Sequence, residues 1–311
     1  MKRAPGDNMT RTARRRGPRL VVFIPYAWLL AFFLIPFLVV FKISFSQTVI
    51  AQPPYRPVLD LAAGWEGLRQ FLSALTIDNY AALVRDALYV SSYFKSLEIA
   101  AVSTFILLLI GYPVAYGLAR TSRRLQGVLV MLIVLPFWTS FLIRVYAWIN
   151  ILQRDGLLNQ ALLALRLVDA PVAWLASDTA VYIGIVYSYF PFMVLPLYTA
   201  LEKMDLALEE AAADLGCPPW KSFWIVTVPL SLPGIVAGSL LCFIPIVGEF
   251  VIPDLLGGSV TSMIGQTLWT EFFANRDWPL ASAVATVLVL LLVVPIVFYQ
   301  HYRTREIEQG R

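Results

Sequence analysis

A single histidine, two cysteines and a charged fraction of 14% are what this 311-residue sequence has least of, and each shortage closes off a kind of chemistry. His301 alone cannot build a histidine-based catalytic triad or a His-rich metal site. Cys217 falls in a polar loop and Cys242 in an apolar run, so the two lie at different depths and no disulfide is expected. A phosphate loop of the form G-x-x-x-x-G-K-[ST] is missing, so any energy must arrive through a partner or an ion gradient. No internal repeat of the kind that pairs the halves of many secondary carriers is visible, which favours a second subunit if a symmetric pore is to form.

What the sequence has in excess is apolar surface. It is 59% hydrophobic with a mean hydropathy of +0.72, where ordinary soluble domains are about 45–50% apolar. A bilayer core about 30 Å thick takes roughly 20 apolar residues per crossing helix, and about six such stretches are present. They cover 20–45, 96–119, 127–152, 179–201, 230–256 and 280–300. Unpaired backbone amides are not tolerated against lipid and barrel-type alternation is lacking, so an all-α integral membrane protein of about six transmembrane helices is predicted. The membrane domain then spans 20–300, between a basic tail at 1–19 and a short tail at 301–311. Pro113, Pro136, Pro191, Pro196 and Pro245 predict kinks. The first run is too long for a signal peptide and lacks a small-residue cleavage site, so it is read as an uncleaved helix.

Lys and Arg set the orientation. Seven of them, from Lys2 to Arg19, fill the leading tail, and an even number of crossings puts that tail on the same side as Arg120, Arg123, Arg124, Lys203, Lys221, Arg303, Arg305 and Arg311. The opposite loops hold Arg56, Arg69, Arg85, Arg154, Arg166 and Arg276. The positive-inside rule makes both termini cytoplasmic, and the net charge of +4 reads as topology signal, with no nucleic-acid partner. Between the first two helices lies an external segment, 47–93, with Pro53, Pro54 and Pro57 near its start and an amphipathic run at 77–88 that Asp78 is expected to cap. A segment of that size packs as a lid, docks a partner or serves as a tether. Gly234 and Gly238 form a small-xxx-small step that lets another helix approach closely, within the chain or between chains.

The charged cytoplasmic loop 202–229 is the most informative stretch. Asp205 suits an N-cap, 206–215 are strong helix formers, Gly216 suits the left-handed position after a helix, and Pro218 and Pro219 forbid continuation. A second helical run from Trp220 then re-enters the membrane at Pro229. Ala211, Ala212 and Ala213 leave a smooth face that a partner's cleft can approach, with Glu209, Glu210 and Asp214 at its edge. A helix lying on the headgroups would carry Lys and Arg on its polar face, and this one is acidic.

In this loop Glu210, Ala211, Ala212, Gly216 and Pro229 stand in register with the signature E-A-A, three residues, G, nine residues, I-x-L-P. Val226 and Val228 replace its Ile and Leu conservatively. The chain therefore resembles the permeases of binding-protein-dependent ABC importers, from about 20 to 302. Stretches such as LPFWTSFLIRVYAWINIL, VGEFVIPDLLGG and WTEFFANRDWPLASAVA look like the polyamine branch, putrescine permeases above all. The resemblance implies a type I importer fold and a non-catalytic inner-membrane subunit whose loop docks into a cytoplasmic ATPase. It also implies a homologous second permease, two ATPase subunits that use the ATP, and a periplasmic polyamine-binding protein, with no cofactor on this chain.

For a cationic cargo, the carboxylate deep in an apolar stretch is Glu249, and a charge at a helix centre costs about 2.5–3.5 kcal/mol, so it is a candidate for the substrate path. The alternative is a carboxylate paired within the protein. Asp254 follows one turn later. Trp138, Phe141, Val145 and Trp148 fall on one face of the third helix, and Tyr187 and Tyr189 on the fourth. Such rings hold ammonium groups through cation–π attraction of about 0.5–2 kcal/mol, or simply pack and anchor. Arg144 would repel a polyamine, and counting along a straight helix puts it near the external headgroups as an anchor or ion-pair partner. The rival classes are a permease for another small solute, an ion-driven carrier, which would need a buried proton relay, and a membrane-embedded enzyme, which would need a nucleophile or metal constellation.

Overall fold

The computed structural model describes residues 19–58, 64–258 and 261–308, so the leading tail apart from Arg19 and the last three residues lie outside it. The chain starts as one apolar rod, α1 (Arg19–Leu29) and α2 (Ile35–Ile43), joined by a π-helical turn at Leu30–Leu34. Phe23, Trp28, Phe32 and Phe33 on it are all more than 60% exposed, as suits a helix whose neighbour is lipid or another chain.

The segment that follows folds back on the bundle and is no bare tether. A two-stranded antiparallel pair, β1 (Gln47–Thr48) and β2 (Tyr55–Arg56), precedes α3 (Gly64–Ser73) and α4 (Asp78–Arg85). Asn79 Nδ2 donates to the carbonyls of Ser44 and Ser46, both at 2.8 Å, and Thr48 Oγ1 donates to Asp277 at 2.5 Å. The expected cap is displaced: Thr76 Oγ1 accepts from Asp78 N at 3.2 Å, because Asp78 is already helical. Asp86 then breaks the run and caps the next helix by accepting from Leu88 N at 2.8 Å.

That helix is α5 (Ala87–Arg120), whose 34 residues extend the expected span at its leading end. The third apolar stretch differs most from expectation. It is not one helix but α6 (Arg123–Val134), a tight turn at Leu135–Trp138, and α7 (Phe141–Leu152), with a 91° bend between the segments Arg123–Trp138 and Phe141–Ala164. Pro136 sits in the tight turn, and Thr139 and Ser140 are extended or nearly so, which ends one hydrogen-bond ladder before the next begins. Among the prolines expected to kink, Pro136 alone falls at this break, while Pro113, Pro191, Pro196 and Pro245 lie inside helices.

α8 (Leu157–Ala164) leads to α9 (Asp178–Glu202), capped by Ser177, and then to the charged loop with α10 (Ala207–Asp214) and α11 (Pro219–Ser222). A π-helical stretch at Phe223–Thr227 carries α11 straight into α12 (Val228–Val247). The chain breaks again at Gly248, continues as α13 (Val251–Leu256) and α14 (Ile264–Trp269), and ends in α15 (Trp278–Glu308). Among the described residues four helices are long and apolar enough to cross a membrane, five if the bent pair is one span, and the last expected stretch falls on the shorter apolar start of α15, Trp278–Val293.

The packed centre is α5, α9 and α12, with Ile99, Leu107, Ile185, Met193, Leu197 and Ile246 fully buried. In lipid no hydrophobic force draws apolar helices together, so close van der Waals approach must do it. The Gly234–Gly238 step provides that approach inside the chain. A Cβ on Gly234 would lie 2.5 Å from Ala200 Cβ, and one on Gly238 would lie 3.1 Å from the Met193 carbonyl.

Candidate functional site

The charged loop is built from local devices. Asp205 Oδ1 accepts from Ala207 N at 3.0 Å and so caps α10 from just outside it. At the other end Gly216 has φ +78°, Gly216 N donates to Ala213 O at 2.8 Å and Cys217 N to Ala212 O at 3.0 Å. This pair of bonds is the Schellman closure that a left-handed glycine allows. Pro218 is extended and Pro219 opens α11, so the chain turns where the two prolines demand it.

Glu210, Ala211, Asp214 and Gly216 are exposed and Ala212 is half-buried, while Pro229 is exposed at the first turn of α12. Leu215 at 89% and Trp220 at 70% exposure flank the turn. Sequence reasoning singled out neither of them, because it weighed the motif letters alone.

Glu209 behaves differently from the acidic edge to which it was assigned. Its Oε1 accepts from Thr227 Oγ1 at 2.8 Å and from the guanidinium of Arg120, the last residue of α5. Arg120 also lies 5.1 Å from the Tyr116 ring centroid. Phe223 packs edge-on against Tyr112 and Tyr116, and the Tyr112 and Ser231 hydroxyls are 2.8 Å apart. Glu209 therefore faces its own chain and ties α10 to α5 and to the root of α12.

The second region lies around the break after α12. Glu249 is buried, and its carboxylate already has three donors: Tyr189 OH at 2.6 Å, Val251 N at 3.0 Å and Ile252 N at 3.4 Å. It caps the N-terminus of α13, where the helix dipole favours a negative charge. Of the two readings open for Glu249, this geometry is that of a carboxylate satisfied within the protein. The expected single helix over 230–256 ends at Val247, because Gly248 and Glu249 form the turn between α12 and α13. Asp254 is exposed on α13 and accepts from Gln266 Nε2 at 3.1 Å.

The aromatic stripe is divided by the 91° bend. Trp138 stands beyond the bend and is 75% exposed, whereas Phe141, Val145 and Trp148 stay on α7. Trp148 meets Tyr187 edge-on at 5.3 Å, and Tyr187 borders an apolar cavity of about 640 Å³ between α5, α6 and α9. Tyr189 and Glu249 are thus joined, Trp148 and Tyr187 are joined, and Trp138 belongs to neither pair. Arg144, in the first turn of α7, borders a cavity with Phe192, near the middle of α9, and Leu241, in the last third of α12.

Two polar contacts had no signal in the apolar stretches. Lys95 bridges Asp178 at 2.7 Å and Glu98 at 3.3 Å, fastening α5 to the start of α9. Buried Glu271, on a π-helical turn at Thr270–Ala274, accepts from Tyr89 OH at 2.9 Å and Asn275 Nδ2 at 2.8 Å. A carboxylate among the aromatics of WTEFFAN was the available hint.

Both regions fall inside residues 107–306, which match the model of the binding-protein-dependent transport system inner membrane component family, and the chain belongs to that family. It is a multi-pass membrane permease subunit of an ABC importer, a transport component and not an enzyme. Among its relatives is the spermidine/putrescine transport system permease protein PotB of Haemophilus influenzae, 38% identical over 289 residues, covering 93% of this chain and 94% of that protein. The protein of the same name from Escherichia coli is 39% identical over 224 residues, covering 72% and 81%. A solved structure of a bacterial ABC transporter involved in the import of the acidic polysaccharide alginate aligns with a TM-score of 0.67 over 92% of this chain and 94% of that one. At 15% identity this likeness speaks for the type I permease fold alone.

Proposed function

We propose that this chain forms one half of the translocation path of an ATP-driven importer of polyamines, putrescine or spermidine, and that loop 202–229 is the lever through which a cytoplasmic ATPase drives it. The observation that carries the cargo reading is the 38–39% identity, over most of the chain, to permeases named for spermidine and putrescine transport. The carrier of the lever reading is the capped, proline-bounded α10 with its exposed Glu210, Ala211, Leu215 and Trp220.

On this reading the complex also holds a homologous second permease, two ATPase subunits and a periplasmic polyamine-binding protein, and both termini of this chain are cytoplasmic. ATP binding draws the two ATPases and their docked loops together and turns the cavity outward to receive cargo; hydrolysis resets it inward. The lever biases a two-state element, and the chain itself performs no bond chemistry. Glu210, Ala211, Ala212, Asp214 and Gly216 form the docking face, Glu209 holds that face to α5, and Pro229 sets the re-entry of α12. Trp138, Tyr187, Tyr189, Glu249 and Asp254 belong to the path, with Glu249 shaping it as the cap of α13. A relative named for molybdenum transport, 31% identical over 53% of this chain, supports a second reading in which the cargo is another small solute.

The experiment is reconstitution of the complete complex in liposomes with binding protein loaded in turn with putrescine, spermidine or molybdate. Uptake and stimulated ATP hydrolysis with a polyamine alone are expected. Stimulation by molybdate and by neither polyamine would replace the cargo.

A further inference from the structure

Arg144 is a charged side chain that the transport reading leaves without a task. Its guanidinium carbon lies 4.6 Å from the Phe137 ring centroid and 5.7 Å from that of Phe141. Rings of this kind attract a cation but accept no in-plane hydrogen bond. Nε and Nη1 are buried and have no hydrogen-bond partner, and Arg144 takes part in none of the three ion pairs among the described residues. Tyr189, on the same cavity wall, donates its hydroxyl hydrogen bond to Glu249.

The cavity has a volume of about 560 Å³ and is open on one side, with Ser188, Phe192, Leu241, Ile244 and Pro245 among its walls. Leu241 to Pro245 lie roughly 3–9 Å from the Val247 end of α12, where the chain breaks, and Ser188 to Phe192 lie about 15–21 Å from either end of the long apolar helix α9, at about 1.5 Å per residue. This depth removes lipid phosphate as the missing acceptor. A guanidinium is not deprotonated in proteins, so burial alone cannot discharge it. A cationic cargo cannot complete it either, since like charges repel.

We propose that the second permease chain inserts a carboxylate into this cavity, and that its ion pair with Arg144 sets the seam between the two pore-forming chains. Charge complementarity identifies the occupant: a guanidinium whose buried Nε and Nη1 lack a partner calls for an anion, and a carboxylate supplies one. The pair would also neutralise a fixed positive charge beside a path meant for a dication. The inference rests on the proposed assembly with a second permease, though its assembly test does not depend on the cargo.

The test uses the whole complex in membranes. Arg144→Glu should lower co-purification of the two permeases at least ten-fold, and replacing one membrane-embedded carboxylate of the second permease with Arg should restore it. Should Arg144→Glu fail to accumulate, Arg144→Cys paired with Cys at each such carboxylate supplies the measurement, and one position should form a disulfide under mild oxidation. Unchanged co-purification in Arg144→Glu would overturn the proposal. So would the failure of every carboxylate replacement to restore it together with the lack of any cross-link, as expected if a permeating anion or water occupied the cavity instead. Pairing at Arg144 in a complex that imports no polyamine would leave the seam standing and remove the cargo; polyamine uptake with Arg144 unpaired would do the reverse.

Discussion

Glu209 and Glu249 do similar work at two chain reversals, but on different scales. Glu209 joins a loop made of short-range devices to two other helices, and the remaining surface of that loop stays exposed. Glu249 is enclosed, with donors from its own turn and from a residue 60 positions away. The first arrangement holds an exposed knob out from the bundle. The second fixes a break inside the bundle and leaves no oxygen without a donor. One carboxylate positions a surface and the other positions a discontinuity, so the same substitution should fail differently at the two places.

The largest effect is expected at the knob. Gly216→Trp forces an L side chain into the left-handed conformation at a cost of about 1–2 kcal/mol, although nothing lies within 4 Å of a Cβ there. The loss should therefore come from the altered shape of the docking face, with uptake near background and membrane insertion retained. Wild-type uptake would remove the loop from the coupling route.

Breaking the tie behind the knob should matter less. A partly exposed ion pair contributes about 0.2–1 kcal/mol, so Arg120→Ala should leave the chain folded yet reduce uptake several-fold while basal ATP hydrolysis continues. The exchanged pair, Arg120→Glu with Glu209→Arg, should recover part of it. No recovery and no loss in either single variant would make the tie incidental.

At the break the two readings of Glu249 separate cleanly. Glu249→Gln keeps an acceptor for Val251 and Ile252, whereas Glu249→Ala leaves buried donors unsatisfied at about 1–3 kcal/mol each. A cap predicts that the alanine variant loses thermal stability in detergent while the glutamine variant keeps most stability and uptake. Equal, large uptake losses in both with stability intact would mean that the charge itself meets the cargo. The smallest functional effect should come from Gly234→Leu, where overpacking against Ala200 costs about 1–3 kcal/mol. It should appear as a lower melting temperature, with uptake per folded molecule preserved.

This contrast also explains what could be read from the chain alone. The devices of the knob act within a few residues of one another: Asp205 on Ala207, Gly216 on Ala213, Pro218 on Lys221. Caps and turns of that kind are visible in a sequence, as are the apolar lengths of the spans. The bend at Thr139 and Ser140 was not, because Pro136 in a membrane helix is compatible with a kink as well as a break. Once the third stretch was taken as straight, Trp138 was put on one face with Phe141 and Trp148, and the bend separates them. The Arg120–Glu209 tie and the Tyr189–Glu249 bond join positions distant along the chain, and only packing brings them together.

The central claim is that work enters this permease through the exposed face of α10. Its most direct test is the reconstituted complex carrying Glu210→Lys, with transport and ATP hydrolysis followed as loaded binding protein is added. The account predicts that the chain inserts, that hydrolysis no longer responds to binding protein, and that uptake falls to background. Stimulated hydrolysis and uptake at wild-type rates would contradict it.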